Sequence, residues 1–335
     1  MRSARRRYTE LSEQENFSNK QTVHSFELLA TLGQGGFATV LLARDRTTSS
    51  LFALKTIAKR NVRSKQNWSM VLTESAALSE LRHPLVISLF SSFQDAGHVY
   101  FLLELAEGGT LAQLRKHHSG PFDEPTARFY VSEIALALDH VHARGFVYRD
   151  LKGENVLISR DAHVKIADFG LATRAKNRPQ SLAGTPHMIA PELLHPASRV
   201  SKSVDWWALG LVVAELVLDE APLSWVKGPQ DLASLPNTFK RRLHLPDWSV
   251  APSLAISMPC RDVVEQLLEV TPSQRLCCTS GLAELQGAPW FCSIDWASLE
   301  RLQVEPPLAA EVRERVVQMY AAVPPSPEPP SATEA

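Results

Sequence analysis

The strongest constraint on the fold of this chain is a change of period part-way along it. From "HSFELLATLGQGGFATVLLARD" through "LFALKTIAK", apolar and polar residues alternate with period two, and Gly-rich or polar breaks separate the runs. Side chains on a strand alternate between faces, so this pattern belongs to antiparallel sheet. "WSMVLTESAALSELR" interrupts it with helical spacing at Val71, Leu72, Leu78 and Leu81, and "HVYFLLEL" is a further buried strand. After "AEGG" the character changes. "EPTARFYVSEIALALDHVHARG" predicts a helix with Val131, Ile134, Ala135, Leu138 and Val141 on one face and Gly145 as its stop. "VDWWALGLVVAELVL" is apolar nearly all round and predicts a buried core helix. A chain of 335 residues is long for one core and natural for two packed lobes. The expected class is α+β: a small, mainly antiparallel β lobe with one helix, and a larger, mainly helical lobe.

Composition narrows the function classes. Hydrophobic residues make up 44% and charged residues 21%, an ordinary globular balance. A formal net charge of -1 argues against a general nucleic-acid binder, which needs a basic surplus. No apolar run reaches the ~18 residues that span a bilayer. The basic start, "MRSARRRYTELSEQENF", lacks the apolar core of a secretory signal, and Arg2 stands where myristoylation needs glycine. Cys260, Cys277, Cys278 and Cys292 form no zinc-type double pair and read as reduced thiols rather than a disulfide framework. A cytoplasmic protein is expected, with nuclear residence left open. Residues 1–22 read as a disordered polar arm, and the chain after 292 as a tail with a short helix and a Pro-rich end.

Three stretches carry chemistry. In "LGQGGFATV", Gly33 and Gly35 on a strand–turn–strand let the backbone close over a polyanion where a side chain would clash. In "FALK", Lys55 is an isolated cation inside an apolar strand; a buried lysine needs a partner, and Glu74 on the following helix is the natural one. "FVYRDLKGENVLI" and "VKIADFG" then bring Asp150, Asn155 and Asp168 together at two loop ends. Asn155 and Asp168 supply the hard oxygen ligands that Mg²⁺ prefers. Asp150 can accept a proton from an attacking hydroxyl, and Lys152 can neutralise charge on a moving phosphoryl group.

In chain order, "GQGGFATV", "FALK", "YRDLKGEN", "DFG" and "APE" resemble the protein-kinase signature. "YRD", "AGTPHMIAPE" and "SVDWWALG" make the chain similar to the AGC class, the kinases related to the cyclic-nucleotide-dependent and ribosomal-S6 kinases. The resemblance implies a two-lobed protein-kinase fold over 23–292, with lobes meeting near 104–105, and an ATP- and Mg²⁺-dependent protein serine/threonine kinase. It implies that Leu32, Gly33, Gln34, Gly35, Gly36, Phe37 and Ala38 cover the phosphates, that Val40, Ala53 and Leu157 sandwich adenine, and that Glu104 and Ala106 offer hinge backbone groups beside the gatekeeper Leu103. Lys55 would hold the phosphates, with Glu74 as its partner. Asp150 would be the base, Lys152 and Thr185 its neighbours, and Asn155 and Asp168 the metal ligands. Ser181 would be an activating phosphosite, served by an upstream kinase, with Arg149 as partner of the phosphate. Glu154 would read an upstream Arg of the protein substrate, and Leu182, Pro186 and Ile189 would hold a downstream apolar residue. Glu192 would pair with Arg275, Asp205 would anchor the catalytic loop, and Leu78, Leu89, Tyr148 and Phe169 would stack between the lobes. A monomer is expected.

The chain departs from the family pattern at several places. Ala38 replaces the third glycine of the loop, Gly153 replaces the usual proline, Ala221-Pro222-Leu223 stands for "PPF", and Thr110 stands where relatives carry a second substrate-reading acid. The tail lacks the aromatic pair with which many AGC tails brace the small lobe, so that brace comes from elsewhere or is dispensable. A pseudokinase scaffold is the alternative reading; its mark would be loss of Lys55, Asp150, Asn155 or Asp168, and all four are present.

Overall fold

The computed structural model describes residues 21–36, 38–62, 64–174, 185–194, 200–218, 223, 231 and 256–324. Five antiparallel strands, β1 (Phe26–Gln34), β2 (Ala38–Asp45), β3 (Leu51–Ala58), β4 (Leu89–Gln94) and β5 (His98–Leu103), form one sheet in the order β1-β2-β3-β5-β4. The period-two pattern explains its two faces. Ala53, Ile57, Val99, Phe101 and Leu103 point to the main core, while their strand neighbours Leu54, Tyr100 and Leu102 join Phe26 and Ala43 in a smaller outer cluster. Helix α1 (Lys65–Glu80) carries Val71, Ala77 and Leu78 into the main core. Ser64 caps it by accepting the Asn67 N–H at 3.0 Å.

The large lobe begins with β6 (Gly109–Thr110) and α2 (Leu111–His117). Helix α3 (Glu124–Ala143) starts at the Asp123 cap and ends before Gly145, whose φ of +78° suits glycine. The expected single apolar face is too narrow. Phe129, Ser132, Glu133, Leu136 and Ala137 are buried as well, because α3 is wrapped by neighbours on several sides. Strands β7 (Phe146–Val147), β8 (Val156–Ile158), β9 (Val164–Ile166) and β10 (Thr173–Arg174) carry the loops that follow it. Helix α4 (Ser203–Val217) is buried all round except at Glu215, as its composition predicts. It packs on α3 and on α5 (Met258–Leu267). Helix α6 (Leu282–Gln286) follows. Glu192 and Arg275 form a bidentate bridge at 2.7 and 2.9 Å, with the Arg275 side chain wholly buried. Removing one partner of such a pair costs about 3–5 kcal/mol.

The tail folds as α7 (Trp296–Glu300) and α8 (Ala309–Ala321). Ala309, Val312 and Val316 of α8 are buried in the main core. The Tyr320 hydroxyl donates to Glu107 at 3.1 Å, and Arg44 of β2 donates to the carbonyl of Pro324. The tail therefore reaches the small lobe without an aromatic pair. Among the described residues, no helix is long and apolar enough to cross a membrane. All four cysteines are free thiols, and burial pushes Cys260 up to about 12.

Candidate active site

Lys55 lies on β3, whose inward positions are otherwise apolar. Its ammonium donates to Glu74 of α1 at 2.5 Å and to Asp168 at 3.0 Å. Burial pushes the Lys55 ammonium down, but the charges of Glu74 and Asp168 more than offset this, so its pKa lies above the ordinary value. The Lys55 charge holds the Asp168 carboxyl below the usual carboxylate range, against a smaller opposing effect of burial. Asp168 adopts φ 55°, and its side chain accepts the Gly170 N–H at 3.4 Å. That left-handed turn is unusual for a residue with a Cβ and belongs to a held loop.

The second cluster forms around Asp150. Asn155 donates its amide to the Asp150 carbonyl at 2.8 Å and to its carboxylate at 2.7 Å. Thr185 donates to the other carboxylate oxygen at 3.0 Å and accepts from Lys152 at 2.7 Å; Lys152 also reaches Asp150 at 3.1 Å. Asp205 sets the backbone of this loop: it accepts the N–H groups of Tyr148 at 2.8 Å and Arg149 at 2.7 Å, and its carboxylate also meets His142 at 2.7 Å. Arg149 takes φ 74° under that hold. Tyr148 and Phe169 meet edge-on at 5.1 Å, and the Tyr148 hydroxyl donates to the Ala167 carbonyl. Leu78 shares their core, and Leu89 packs against it.

The residues expected to face a nucleotide lie on or beside β1, β2, β3, β5 and β8. A Cβ built on Gly33 or Gly36 meets nothing within 4 Å, so the hairpin leaves room beside its backbone. Val40 pairs with Lys55, and Ala53 with Leu103, in adjacent strands; Ala38 opens β2 and Leu157 sits on β8. Glu104 donates its N–H to the Ser88 carbonyl at 2.9 Å, and its carboxylate meets Lys165 at 2.6 Å. Leu32 of β1 is exposed, and Ala106 packs against the main core. Asn155 and Asp168 suit Mg²⁺ as a donor set: the Asn155 nitrogen is committed to Asp150, which leaves its amide oxygen as the ligand atom, and Asp168 is held ionised.

Of the residues expected to contact a protein substrate, Glu154 is exposed, Pro186 opens a 3₁₀ turn and Ile189 is buried. Phe37, Ser181 and Leu182 lie outside the described residues. The structure adds residues that the sequence reading passed over. Burial, with a smaller push from the Glu154 charge, raises the Glu215 carboxyl to about 7. An acid inside the apolar "LVVAELVL" is the available signal, since a carboxyl among apolar neighbours needs a reason. Arg174 of β10 meets Glu80, at the end of α1, at 2.5 and 2.8 Å, and lies over the Phe146 ring at 4.0 Å.

Comparison with known proteins agrees with this geometry. The protein kinase domain profile matches residues 26–291. A cAMP-dependent protein kinase catalytic subunit-like protein of Caenorhabditis elegans is 35% identical over 296 residues, covering 88% of this chain and 70% of its own length. The human cAMP-dependent protein kinase catalytic subunit PRKX is 32% identical over 298 residues, covering 87% of this chain and 78% of its own length. The cAMP-dependent protein kinase type 3 of Saccharomyces cerevisiae is 30% identical over 298 residues, covering 89% of this chain and 72% of its own length. With an upper-lobe lysine bridged to a helix and a loop aspartate, and a second aspartate fixed between asparagine, lysine and threonine, this chain belongs to the protein kinase family and, within it, to the AGC-like kinases.

Proposed function

We propose that the protein transfers the γ-phosphoryl group of ATP to serine or threonine hydroxyls of protein substrates, with Asp150 as the base. The observation that carries this reading is the double cluster itself. Lys55 is charged and fixed between Glu74 and Asp168, while Asp150 is aimed by Asn155, Lys152 and Thr185. Phosphoryl transfer needs little covalent work from a protein; it needs positioning and charge neutralisation. Lys55 holds the α- and β-phosphates from above. Asp150 orients the acceptor hydroxyl and takes its proton. Lys152 faces the charge that moves between nucleotide and acceptor. Asn155 and Asp168 would hold Mg²⁺, which would supply charge neutralisation at the phosphate oxygens. The Glu154 charge acts on the Glu215 carboxyl, so both carboxylates are suited to an upstream Arg of the substrate, and Pro186 and Ile189 suit an apolar residue downstream. Phosphorylation of Ser181 by an upstream kinase would place a dianion for Arg149.

The test is phosphate transfer from ATP to a basic peptide by Asp150→Asn and Asp168→Ala, with folding followed by circular dichroism. Each variant should keep the fold and lose transfer by about 10²–10³-fold or more. Turnover at the wild-type rate in either folded variant overturns the mechanism. A wild-type protein that is stabilised by MgATP yet transfers nothing is instead the pseudokinase scaffold.

A further inference from the structure

The outer face of the small-lobe sheet carries an aromatic patch that phosphoryl transfer does not use. Phe26 stacks on Phe93 at 6.2 Å and meets Phe52 edge-on at 6.3 Å; Phe93 stacks on Tyr100 at 4.9 Å; Phe90 meets Phe52 edge-on at 5.2 Å. Phe26 is 3% exposed, whereas Phe90 is 59% exposed. A bulge puts Phe90 there. Leu89 pairs with Leu103 and Ser91 with Leu102, so Phe90 is the extra residue and the alternation slips by one. Leu89 keeps its place against the main core, while Phe90 turns outward beside Ser91. β4 is also an edge strand of the sheet.

The chain itself crosses this face. Ser91 donates its hydroxyl to the Gln21 side chain at 2.8 Å, Val23 packs on the outer cluster, and Arg46 donates its N–H to the Ser25 carbonyl at 3.0 Å before Phe26 opens β1. Residues 21–26 therefore run from the β4 edge to β1 across the aromatic rings. Gln21, the first described residue, thus lies at the β4 edge, where Phe90 stands. The nearest apolar residue upstream is Phe17, in "ENFSNK". Four extended residues reach about 13 Å, enough to lay its ring over Phe90 from Gln21. Phe17 is flanked by Asn16 and Ser18, so this stretch offers one aromatic anchor for one exposed ring.

We propose that this face is the docking surface of the chain's own N-terminal segment, with Phe17 seated on Phe90 and Phe52. Covering these rings removes apolar surface from water and adds a ring–ring contact. The proposal does not depend on the catalytic reading. It is tested on the full chain by a thermal cycle and by crosslinking. Phe17→Ser should lower the melting temperature by about 2–4 °C in the wild-type background and leave it unchanged in a Phe90→Ser background. A photo-reactive p-benzoylphenylalanine at position 17, in a mixture of isotopically light and heavy protein, should link to β3 and β4 peptides of the same chain. An equal loss from Phe17→Ser in both backgrounds, or no loss in either, overturns the proposal. So do links that join light to heavy chains, because a second copy would then be the occupant.

Discussion

Gly153 stands where a proline is usual, and the structure gives the reason. A Cβ there would lie 3.1–3.3 Å from the side chain and backbone of Ala112, and the Gly153 carbonyl accepts the Ala112 N–H at 3.1 Å. The catalytic loop is thus packed tightly against the start of α2, and the smallest residue fits. Glu215 is the more consequential single residue. Its carboxyl is raised to about 7 by burial and then by Glu154. The folded state therefore holds its proton more strongly than the unfolded chain does, and its contribution to stability grows as pH falls from about 7 towards the ordinary carboxylate range. The proposed contact with a substrate Arg runs the other way, since only the ionised form can make it. KM for a peptide with an upstream Arg should rise as pH falls through about 7, with kcat little changed. In Glu154→Gln the inflection should move to lower pH, because one of the two causes of the shift is gone. A pH–KM profile with no inflection in wild type would remove Glu215 from substrate recognition.

At the scale of elements, α3 does more than fill the core. Glu133, fully buried in its middle, meets the His163 ring at 2.5 Å and accepts the Val164 N–H at 2.9 Å. This tethers β9, the strand that leads directly to Asp168. Glu133→Ala would leave the His163 ring and the Val164 N–H without this partner in a dry site. The expected cost is about 3–5 kcal/mol, measured as a lower midpoint in urea. Weaker ATP affinity should accompany it, because the strand that leads to Asp168 loses its tether. A midpoint within experimental error of wild type would show that water replaces the carboxylate. The Arg174–Glu80 pair is of another kind: both side chains are nearly half exposed, so it orients β10 against α1 while adding little stability.

At the scale of the whole molecule, the tail ties the lobes together. α8 buries Val312 and Val316 against the large lobe, Tyr320 donates to Glu107 just past the hinge, and Pro324 meets Arg44 on the small lobe. Arg160 adds a cation over the Tyr320 ring at 5.8 Å. Deleting residues 309–335 should lower the melting temperature by several degrees, since each buried valine contributes roughly 1.5–3 kcal/mol. Tyr320→Ala separates the hinge contact from core burial: it should raise KM for ATP while the melting temperature stays close to wild type. Equal KM values in Tyr320→Ala and wild type would reduce the tail to a passive cover of the large lobe.

By itself the sequence determined the two-lobed fold class and named the charged residues that the structure gathers into two clusters. Strand and helix periods are local, and "FALK", "YRDLKGEN" and "DFG" each place a charge among apolar neighbours, where desolvation announces that a partner is required. Glu74 could be named as the partner of Lys55 because it lies on the next helix. Tertiary structure alone decided the pairings that cross the fold: Glu133 with His163, Glu215 beside Glu154, Arg174 with Glu80, and Arg44 with Pro324. The same limit explains why α3 read as one-faced: a periodic pattern shows which side is apolar, not how many neighbours will close around the helix. A buried charge reveals its need in the flanking residues, but packing of distant segments selects what meets it.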